Sequence, residues 1–303
     1  MEARVPDVSV VICTRDRVAS LIPTLDAIHA AANAAAPLAI ELVVVDNGSS
    51  DGTSAAAAQW AETAGRAIKI VAEPRPGLAI ARNSGMRAAA GEIIVFTDDD
   101  CRVEIDYFTT LARLYPDRRA PRMIGGRVLL GDDRDLPVTI KEDLEGAEFA
   151  GTSAGGFILG CNMTMTRAAW DKIGQMDERL GAGTPYRSAE DTDYIIRAHM
   201  AGVPITYDPS LCVHHFHGRR SLPEVQKLFS GYSVGNGALY AKYFGTSFAR
   251  QFRWDLQDAV REVFGRAAFK PELGITYRSI LIGNVTGMLR YWSREIGRRS
   301  QGP

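Results

Sequence analysis

The chain has 303 residues, of which 46% are hydrophobic and 23% are charged. This composition is typical of a folded globular protein, and it excludes collagen-like repeats and coiled coils and argues against disorder. With 35 Lys+Arg and 36 Asp+Glu, the net charge of −1 gives no signature of nucleic-acid binding.

The charge is distributed unevenly along the chain. From Arg219 to Pro303 there are 14 Lys+Arg and 6 Asp+Glu, a surplus of +8, whereas the preceding 218 residues carry −9. A basic end on an acidic body fits contact with an anionic partner such as a membrane surface, and it equally fits a solvated helical surface.

The four cysteines lie far apart in sequence and form no C-x-x-C motif. We therefore expect free thiols in a reducing cytoplasm. Met1 to Asp7 leads directly into a predicted strand, without the pattern of a targeting peptide. The apolar stretch from Ile275 to Trp292 contains two arginines and an asparagine, and we expect it to be too polar to span a bilayer.

The first half of the sequence alternates strands and helices. β-branched runs predict strands at Val8–Cys13, Ile40–Val45, Lys69–Ala72 and Ile93–Phe96. The segments between them predict helices at Val18–Ala36, Thr53–Ala64 and Leu78–Ala90, the last beginning after a turn at Gly77. This alternation predicts a parallel sheet with right-handed crossovers.

The second half is less regular. Strands are expected at Met123–Leu130, Phe157–Thr166, Val203–Tyr207 and Cys212–His217, and the acidic segment Asp132–Ala150 is expected to be a loop. A helix follows Arg167, and another is predicted over Ser188–Ala201, with Ser188 as the N-cap of a capping box. From Leu222 onward the pattern is helical, with interruptions at Gly245 and Pro271.

Polar residues follow three of the predicted parallel strands. They are Thr14-Arg15-Asp16-Arg17, Asp46-Asn47 and Thr97-Asp98-Asp99-Asp100. Ligands of open α/β sheets bind at the carboxyl ends of the strands, so these groups are expected to converge on one crevice. The sequence lacks G-x-G-x-x-G and G-x-x-x-x-G-K-[ST], which disfavours a nicotinamide enzyme and a P-loop NTPase.

Three consecutive carboxylates, Asp98, Asp99 and Asp100, follow the buried run IIVF. Carboxylates this close repel one another unless a cation or a proton neutralises them, and hard divalent cations prefer oxygen ligands. Such an ion would bridge to a diphosphate and offset charge on a departing phosphate. The alternative is a turn in which an aspartate caps the next helix.

Three further features carry polar chemistry. Three histidines lie within four positions at 214, 215 and 217, and one imidazole among them could complete a metal site that carboxylates begin. A carboxylate of Glu190-Asp191 could act as a general base, although acidic residues are also favoured in a first helical turn. Arg82 could contact phosphate or lie at the surface.

Taken together, seven segments resemble glycosyltransferase family 2, the inverting nucleotide-sugar-dependent enzymes of the GT-A fold. They occur in the family's order over about residues 8–220: VSVVICTRDR, ELVVVDNGSSDGT, EPRPGLAIARNSG, GEIIVFTDDDC, GCNMTMTRAAWDKIGQMDERLGAGT, AEDTDYIIRAHMAG and VHHFHGRRS. The resemblance implies an α/β fold of GT-A type, a mostly parallel Rossmann-like sheet flanked by helices, followed by a C-terminal helical extension.

The resemblance also implies roles for individual residues. The base and ribose pocket would be formed by Thr14, Arg15 and Asp46, with Arg82 near the nucleotide. Asp98, Asp99 and Asp100 look like the D-x-D-type motif, in which Asp98 approaches the donor and Asp100 the metal, Mn²⁺ or Mg²⁺. The donor sugar and acceptor entrance would lie at Gly160 and Asn162, beside Cys161, where many members carry a small or apolar residue.

The same resemblance places the catalytic groups on the predicted helix near residue 190. Asp191, next to Glu190, would be the base that takes the proton of an acceptor hydroxyl, and one in-line displacement inverts the anomeric carbon. His215 would approach the metal or diphosphate, with His217 as the competing assignment. The donor would be a nucleoside-diphosphate sugar, UDP-linked by default, and the acceptor a lipid-linked, glycan or small-molecule hydroxyl.

The expected organisation is a catalytic domain over 1–221 and a helical extension over 222–303. The domain divides into a nucleotide-binding half, 1–103, and an acceptor-binding half, 104–221. In the extension, an aromatic-rich stretch runs from Tyr232 to Trp254, and a basic stripe at residues 290, 294, 298 and 299 would contact the inner face of the membrane, border a homodimer interface or pack on the domain.

Two other functions are compatible with the crevice. A sugar-phosphate nucleotidyltransferase would need a glycine-rich basic loop after the first strand, and the sequence TRDR contains no glycine. A non-catalytic nucleotide-sugar-binding module would have no need of both the Asp98–Asp100 cluster and the Glu190-Asp191 pair.

Overall fold

A computed structural model describes residues 5–248 and 268–300, together with Gln257, Val260 and Glu262. The strands are β1 (Val8–Thr14), β2 (Ile40–Asp46), β3 (Ile68–Ala72), β4 (Ile93–Asp98), β5 (Cys101–Val103), β6 (Met123–Leu130), β7 (Ala147–Glu148), β8 (Asn162–Thr166), β9 (Ile205–His215), β10 (Ala268–Lys270) and β11 (Ile275–Thr276). The helices are α1 (Val18–Ala34), α2 (Thr53–Ala64), α3 (Leu78–Ala88), α4 (Tyr107–Leu114), α5 (Arg167–Ile173), α6 (Glu190–Met200), α7 (Leu222–Lys242) and α8 (Tyr277–Ser300).

Nine of these strands form one sheet, in the order β3-β2-β1-β4-β8-β6-β9-β5, with β7 paired to β9. β3, β2, β1 and β4 are parallel, as predicted for the first half, and β8 then joins β4 in the opposite direction. Thr14 pairs with Asp46, and Cys13 with Asp98. The carboxyl ends of β1, β2 and β4 therefore meet at one edge, which confirms the predicted α/β fold class.

Both faces of the sheet are buried. The side chains of Val10 and Ile12 point into a cluster covered by α1, α2 and α4, whereas Val11 points into a second cluster covered by α3, α5, α6 and α7. Because the two faces alternate along β1 and both are covered, the strand is apolar throughout. This double burial explains the continuous hydrophobic runs seen in the sequence.

Several predicted boundaries in the second half are wrong. The strand expected from Phe157 begins only at Asn162, because turns precede it: the Phe157 amide donates to the Ala154 carbonyl and the Asn162 amide to the Leu159 carbonyl. The two strands expected around residue 208 are a single strand, β9, which accommodates Pro209 where its register with β6 shifts. The short elements β5 and α4 were not predicted.

The predicted capping box at Ser188 is also wrong. The helix α6 begins at Glu190, after Ala189 in a left-handed conformation with φ of 78°. The Ser188 hydroxyl instead donates to the carbonyl oxygen of Gly231 on α7, at 3.2 Å. Contact with α7 has replaced the local cap.

The region after residue 221 is not continuously helical. α7 is followed, after the residues outside the described ranges, by the β10–β11 hairpin and then by α8. Phe252 and Trp254 of the predicted aromatic stretch lie outside those ranges. Of the helices that the structure describes, none combines the length and the hydropathy of a bilayer-spanning segment.

α7 and α8 are in backbone contact. A Cβ atom on Gly237 would collide with the carbonyl of Asn284, and one on Gly287 with the carbonyl of Val234. Because only glycine permits this approach, the two helices pack with their backbones in direct contact. At its C-terminal end, Lys242 is bound by Asp177 and by the fully buried Asp193 of α6.

Candidate active site

An open cleft of about 680 Å³ lies at the carboxyl end of β4. Its walls come from the loop after β1, the start of α3, the start of α6, the end of β9 and one face of α7. Several of the predicted site residues line it: Arg82, Asp98, Asp99, Asp100, Gly160, Glu190, Asp191 and His215. The sheet topology thus brings together groups more than 100 residues apart.

The three aspartates continue from β4 into β5. Asp98 ends β4, and Asp99 and Asp100 form the turn before Cys101. Cys101 pairs with His215 across the β5–β9 ladder, and the Phe216 amide donates to the Asp100 carbonyl at 2.8 Å. This backbone pairing places His215 beside Asp100, with Nε2 3.3 Å from Oδ1. The turn leads into a strand, so the alternative role as a helix cap does not apply.

His215 is held by its other ring nitrogen. Nδ1 lies 3.2 Å from the Thr139 carbonyl oxygen, which accepts a hydrogen bond from it and leaves Nε2 directed toward Asp100. Burial lowers the pKa of His215, but the hydrogen bond to Asp100 and the electrostatic effects of Cys161, Asp100 and Asp98 together outweigh it and raise that pKa to about 9. A metal-ligating histidine is commonly oriented in this way by a carbonyl.

Asp98, Asp100 and His215 place one ligand atom each within 4.8 Å of one another. Two carboxylates and one imidazole suit Mn²⁺ or Mg²⁺ by the chemistry of their donor atoms. A second set of three, formed by Cys101 and Cys161 with the same His215, meets the same distance limit. Its thiols are buried, and burial raises the pKa of Cys101, which disfavours the thiolate that a soft metal requires.

Arg17 belongs to a segment expected at the crevice, and it neutralises two of the three aspartates, a role that the sequence did not indicate. Its guanidinium pairs with Asp100 and lies 3.1 Å from Asp99. Burial raises the pKa of Asp99 to about 7, against the opposing effect of Arg17. The predicted Arg15 is exposed and lies 3.8 Å from Asp16, whose φ of 53° turns the chain between the two arginines.

Arg82 connects the end of β4 to the start of helix α6. Its buried guanidinium lies 3.2 Å from Asp98 and 3.0 Å from Glu190. A Cβ on Gly160 would approach the same guanidinium to 2.9 Å, so glycine leaves room for it. Burial raises the pKa of Glu190 to about 7, as does the neighbouring Asp191, whereas Arg82 acts in the opposite direction.

Asp191 lines the cleft beside this pair. Its Oδ2 accepts from the Gly160 amide at 3.2 Å, and its Oδ1 from the Thr192 amide at 2.7 Å. The preceding loop carries two non-glycine residues with positive φ, Arg187 at 68° and Ala189 at 78°. Strain of this kind costs about 1–3 kcal/mol per residue and tends to occur at functional sites.

The residues predicted for the nucleotide pocket do not line the cleft. Thr14 and Asp46 lie at the ends of the neighbouring strands β1 and β2. Thr14 is buried, and Asp46 accepts from the Ser49 amide at 2.8 Å and from the Ser54 hydroxyl. Burial raises the pKa of Asp46, but these hydrogen bonds outweigh it and lower the pKa. The Asn47 side chain fixes the next loop by accepting from the Gly77 amide at 3.0 Å.

Two further predicted residues do not line the cleft. Asn162 is fully buried, where it accepts from the Tyr107 hydroxyl at 2.8 Å and donates to two carbonyls. His217 lies beside Asp135 and accepts from the Arg219 amide at 3.0 Å, so it turns away from the aspartates. His215 is therefore the histidine that the structure places beside Asp100.

One wall of the cleft was not predicted at all. Leu228, Tyr232, Asn236 and Tyr240 line it from α7. Their spacing of four residues places them on one helix face, which is the signal that could have identified them. Gly235, on the same helix, allows close approach to Ser188 just before the Glu190-Asp191 pair.

We predict that Arg82→Met lowers the free energy of unfolding by about 3–5 kcal/mol, because it leaves Glu190 buried without its counter-charge. Arg87→Met, at an exposed arginine of the same helix, should change it by less than about 0.5 kcal/mol. Adding Glu190→Gln to Arg82→Met should recover part of the loss, as measured by urea unfolding. If Arg82→Met and Arg87→Met have the same free energy of unfolding, Arg82 does not stabilise the contact between Asp98 and Glu190.

Residues 9–164, more than half of the chain, match the family described as Glycosyl transferase family 2. The succinoglycan biosynthesis protein ExoM of Rhizobium meliloti is 28% identical over 148 residues, which are 46% of this chain and 45% of that protein. The chain spans less than half the length of each of the curated relatives it matches.

Solved structures share the fold. The mannosyltransferase PcManGT of Pyrobaculum calidifontis, in complex with GDP-Man and Mn²⁺, gives a TM-score of 0.58 at 20% identity, over 98% of this chain and 76% of that one. S. aureus TarS 1-349, in complex with UDP-GlcNAc, gives 0.52 at 15% identity, over 82% and 69%. The family match covers the segments that carry the parallel sheet and the Asp98–Asp100 cluster, and the chain belongs to glycosyl transferase family 2.

Proposed function

We propose that the protein is a metal-dependent, inverting glycosyltransferase that moves a sugar from a nucleoside-diphosphate sugar to an acceptor hydroxyl. The observation that carries the proposal is that Asp191 lines the same cleft as the cluster Asp98, Asp100 and His215. A base for the acceptor hydroxyl and a ligand set for a cation on the donor diphosphate would then act within one cleft.

The donor is proposed to bind along the carboxyl ends of β1, β2 and β4. Thr14, Arg15 and Asp46 would contact the base and ribose at the outer end, and Arg82, Asp98, Asp99, Gly160 and Asn162 are proposed for the donor side of the cleft. Of these, Asn162 acts from the interior, through its hydrogen bonds to the backbone. The solved relatives bind GDP-Man and UDP-GlcNAc, and we take UDP as the first choice.

Asp98, Asp100 and His215 are proposed to hold Mn²⁺ or Mg²⁺. A divalent ion there supplies several kcal/mol of charge stabilisation to a departing diphosphate. Arg17, which already offsets the charge of Asp99 and Asp100, lies where it would support the same phosphate oxygens. His215 would bind through Nε2, since Nδ1 is engaged by Thr139.

Asp191 is proposed to take the proton of the attacking hydroxyl. The Gly160 amide and the start of α6 hold its carboxylate in the cleft. Glu190 is proposed to hold Arg82 in place rather than to take the proton, because its carboxylate is paired with the Arg82 guanidinium. A single attack from the Asp191 side, opposite the leaving diphosphate, inverts the anomeric carbon.

The division into a catalytic domain over 1–221 and an extension over 222–303 remains a proposal, as does a cytoplasmic location. α7 lines the cleft, so the extension is proposed to take part in acceptor binding. The acceptor would pass Tyr232 and Asn236 before reaching Asp191.

Asp191→Asn should lower the rate of sugar transfer by about 10²–10⁴-fold, because the general base is lost while the shape is kept. The affinity for the nucleotide sugar should not change, since the residue faces the acceptor. Asp171→Asn, at an exposed aspartate on α5, is the matched control and should transfer at the wild-type rate. Transfer by Asp191→Asn at a near wild-type rate would show that the base has been assigned wrongly.

A thermal-shift panel of UDP-, GDP- and dTDP-sugars with Mn²⁺ should identify the donor, because a ligand that binds the native state raises its melting temperature. With the best donor, Asp100→Ala should abolish the part of the shift that depends on Mn²⁺. Asp106→Ala, at an exposed aspartate that does not line the cleft, should keep it. A Mn²⁺-dependent shift that persists in Asp100→Ala would exclude this ligand.

A further inference from the structure

A second cavity, of about 300 Å³, lies between α7 and α8. Arg187 lines both this cavity and the catalytic cleft, so the two adjoin. Arg290, on α8, lines it as well, and no carboxylate does so within the part of the chain that the structure describes. We call this cavity the basic pocket.

Within the described part of the chain, no acidic group pairs with either of the two arginines. Arg290 donates one hydrogen bond from Nη1 to the Pro185 carbonyl at 3.3 Å, which fixes its guanidinium and leaves its other N–H groups available. Arg187 forms no ion pair with a carboxylate among the described residues. Two guanidinium groups facing one cavity are suited to an anion with several oxygen atoms, such as a phosphate.

The hydroxyls of the basic pocket contribute less. The Ser279 hydroxyl donates to the Thr276 carbonyl oxygen and the Thr286 hydroxyl to that of Ile282, each at 2.7 Å, and so they offer an anion no free proton in this arrangement. Ser230, on α7, is exposed and lines the pocket without such a bond. Recognition of an anion there would therefore depend on the arginines.

An apolar surface begins at the edge of the basic pocket. Ile282, which lines the pocket, is 57% exposed, and Val285 and Leu289 are 43% and 60% exposed. Their spacing of three and four residues places them on one face of α8. We call these three residues the apolar stripe.

We propose that the basic pocket and the apolar stripe bind the acceptor, and that the acceptor is a sugar linked through a phosphate or diphosphate to a long hydrocarbon chain, so that a hydroxyl of this sugar attacks the donor. The proposal rests on the proposed function and names its acceptor class. The phosphate would lie between Arg187 and Arg290, the chain along the apolar stripe, and the sugar end in the cleft that Arg187 also lines. A phosphate without a hydrocarbon chain would make no contact with the apolar stripe.

Two arginines of the basic stripe expected from the sequence, Arg290 and Arg294, contact the loop before α6. Arg290 bonds to Pro185, and Arg294 lies 5.8 Å from the centre of the Tyr186 ring. These contacts fit the packing alternative given for this stripe, while contact with a membrane or a dimer partner stays a prediction. The side chains of Arg298 and Arg299 lie outside the described ones.

The test is calorimetric binding of decyl phosphate, below its micelle-forming concentration, to the full chain. Inorganic phosphate and decyl maltoside report on the head and the chain separately. Mn²⁺ and the best nucleoside diphosphate are added to fill the cleft. We expect decyl phosphate to bind at least tenfold more tightly than either single-feature probe, with the nucleotide present or absent.

Variants assign the binding to this site. Arg187→Gln and Arg290→Gln should each weaken decyl phosphate at least tenfold, whereas Arg119→Gln, at an exposed arginine that lines neither cavity, should not. Leu289→Ser should weaken decyl phosphate but not inorganic phosphate, and Ile105→Ser, at a residue 61% exposed elsewhere, should change neither. Unchanged melting temperatures establish that the variants fold.

Equal binding by the two arginine variants and the wild type would overturn the proposal, as would loss of binding when nucleotide fills the cleft. Equal affinity for decyl phosphate and inorganic phosphate would also overturn it, because the stripe would then contribute nothing. Failure of the proposed function is a separate result: no nucleotide would raise the melting temperature, while decyl phosphate would still bind.

Discussion

The repulsion among carboxylates gathered at one sheet edge is the constraint that organises this molecule. Asp98, Asp99 and Asp100 lie beside Glu190 and Asp191, and several of these groups are buried. Buried charge is costly unless it is paired. Arg17, Arg82 and His215 supply the pairing from three different elements, so the fold of each element depends on the same cluster. A divalent ion would extend this compensation.

Arg82 gives the cluster its geometry. By contacting Asp98 and Glu190 together, it couples the end of β4 to the start of α6. The base and the ligand set would then keep their separation even though they come from distant parts of the chain. The glycine at position 160 and the left-handed residue Ala189 are the local adjustments that allow the contact.

The parallel half of the sheet could be predicted because its pattern is local. Runs such as Val8–Cys13 and Ile40–Val45 are apolar on both faces, and the polar residues that follow them mark the strand ends. The same reasoning marked the three aspartates, Arg82 and the Glu190-Asp191 pair as candidates, whereas the choice of Asp191 as the base came from the family resemblance.

Other features depend on contacts that no local pattern records. Arg17 rather than Arg15 reaches the cleft because Asp16 adopts a left-handed conformation between them. Asn162 belongs to a motif of the family but bonds inside the protein, and Ser188 bonds across to α7 instead of capping its own helix. The α7 wall required knowledge of how the end of the chain packs, which the sequence alone did not provide.

The most direct measurement is a crystal structure of the protein with Mn²⁺ and a nucleoside diphosphate, with anomalous scattering used to locate the metal. The account predicts a manganese peak bound by Asp100 and by Nε2 of His215, next to the diphosphate, with Asp191 facing the open side of the cleft. A nucleotide bound without manganese at Asp100, or with Asp191 turned away from the cleft, would contradict it.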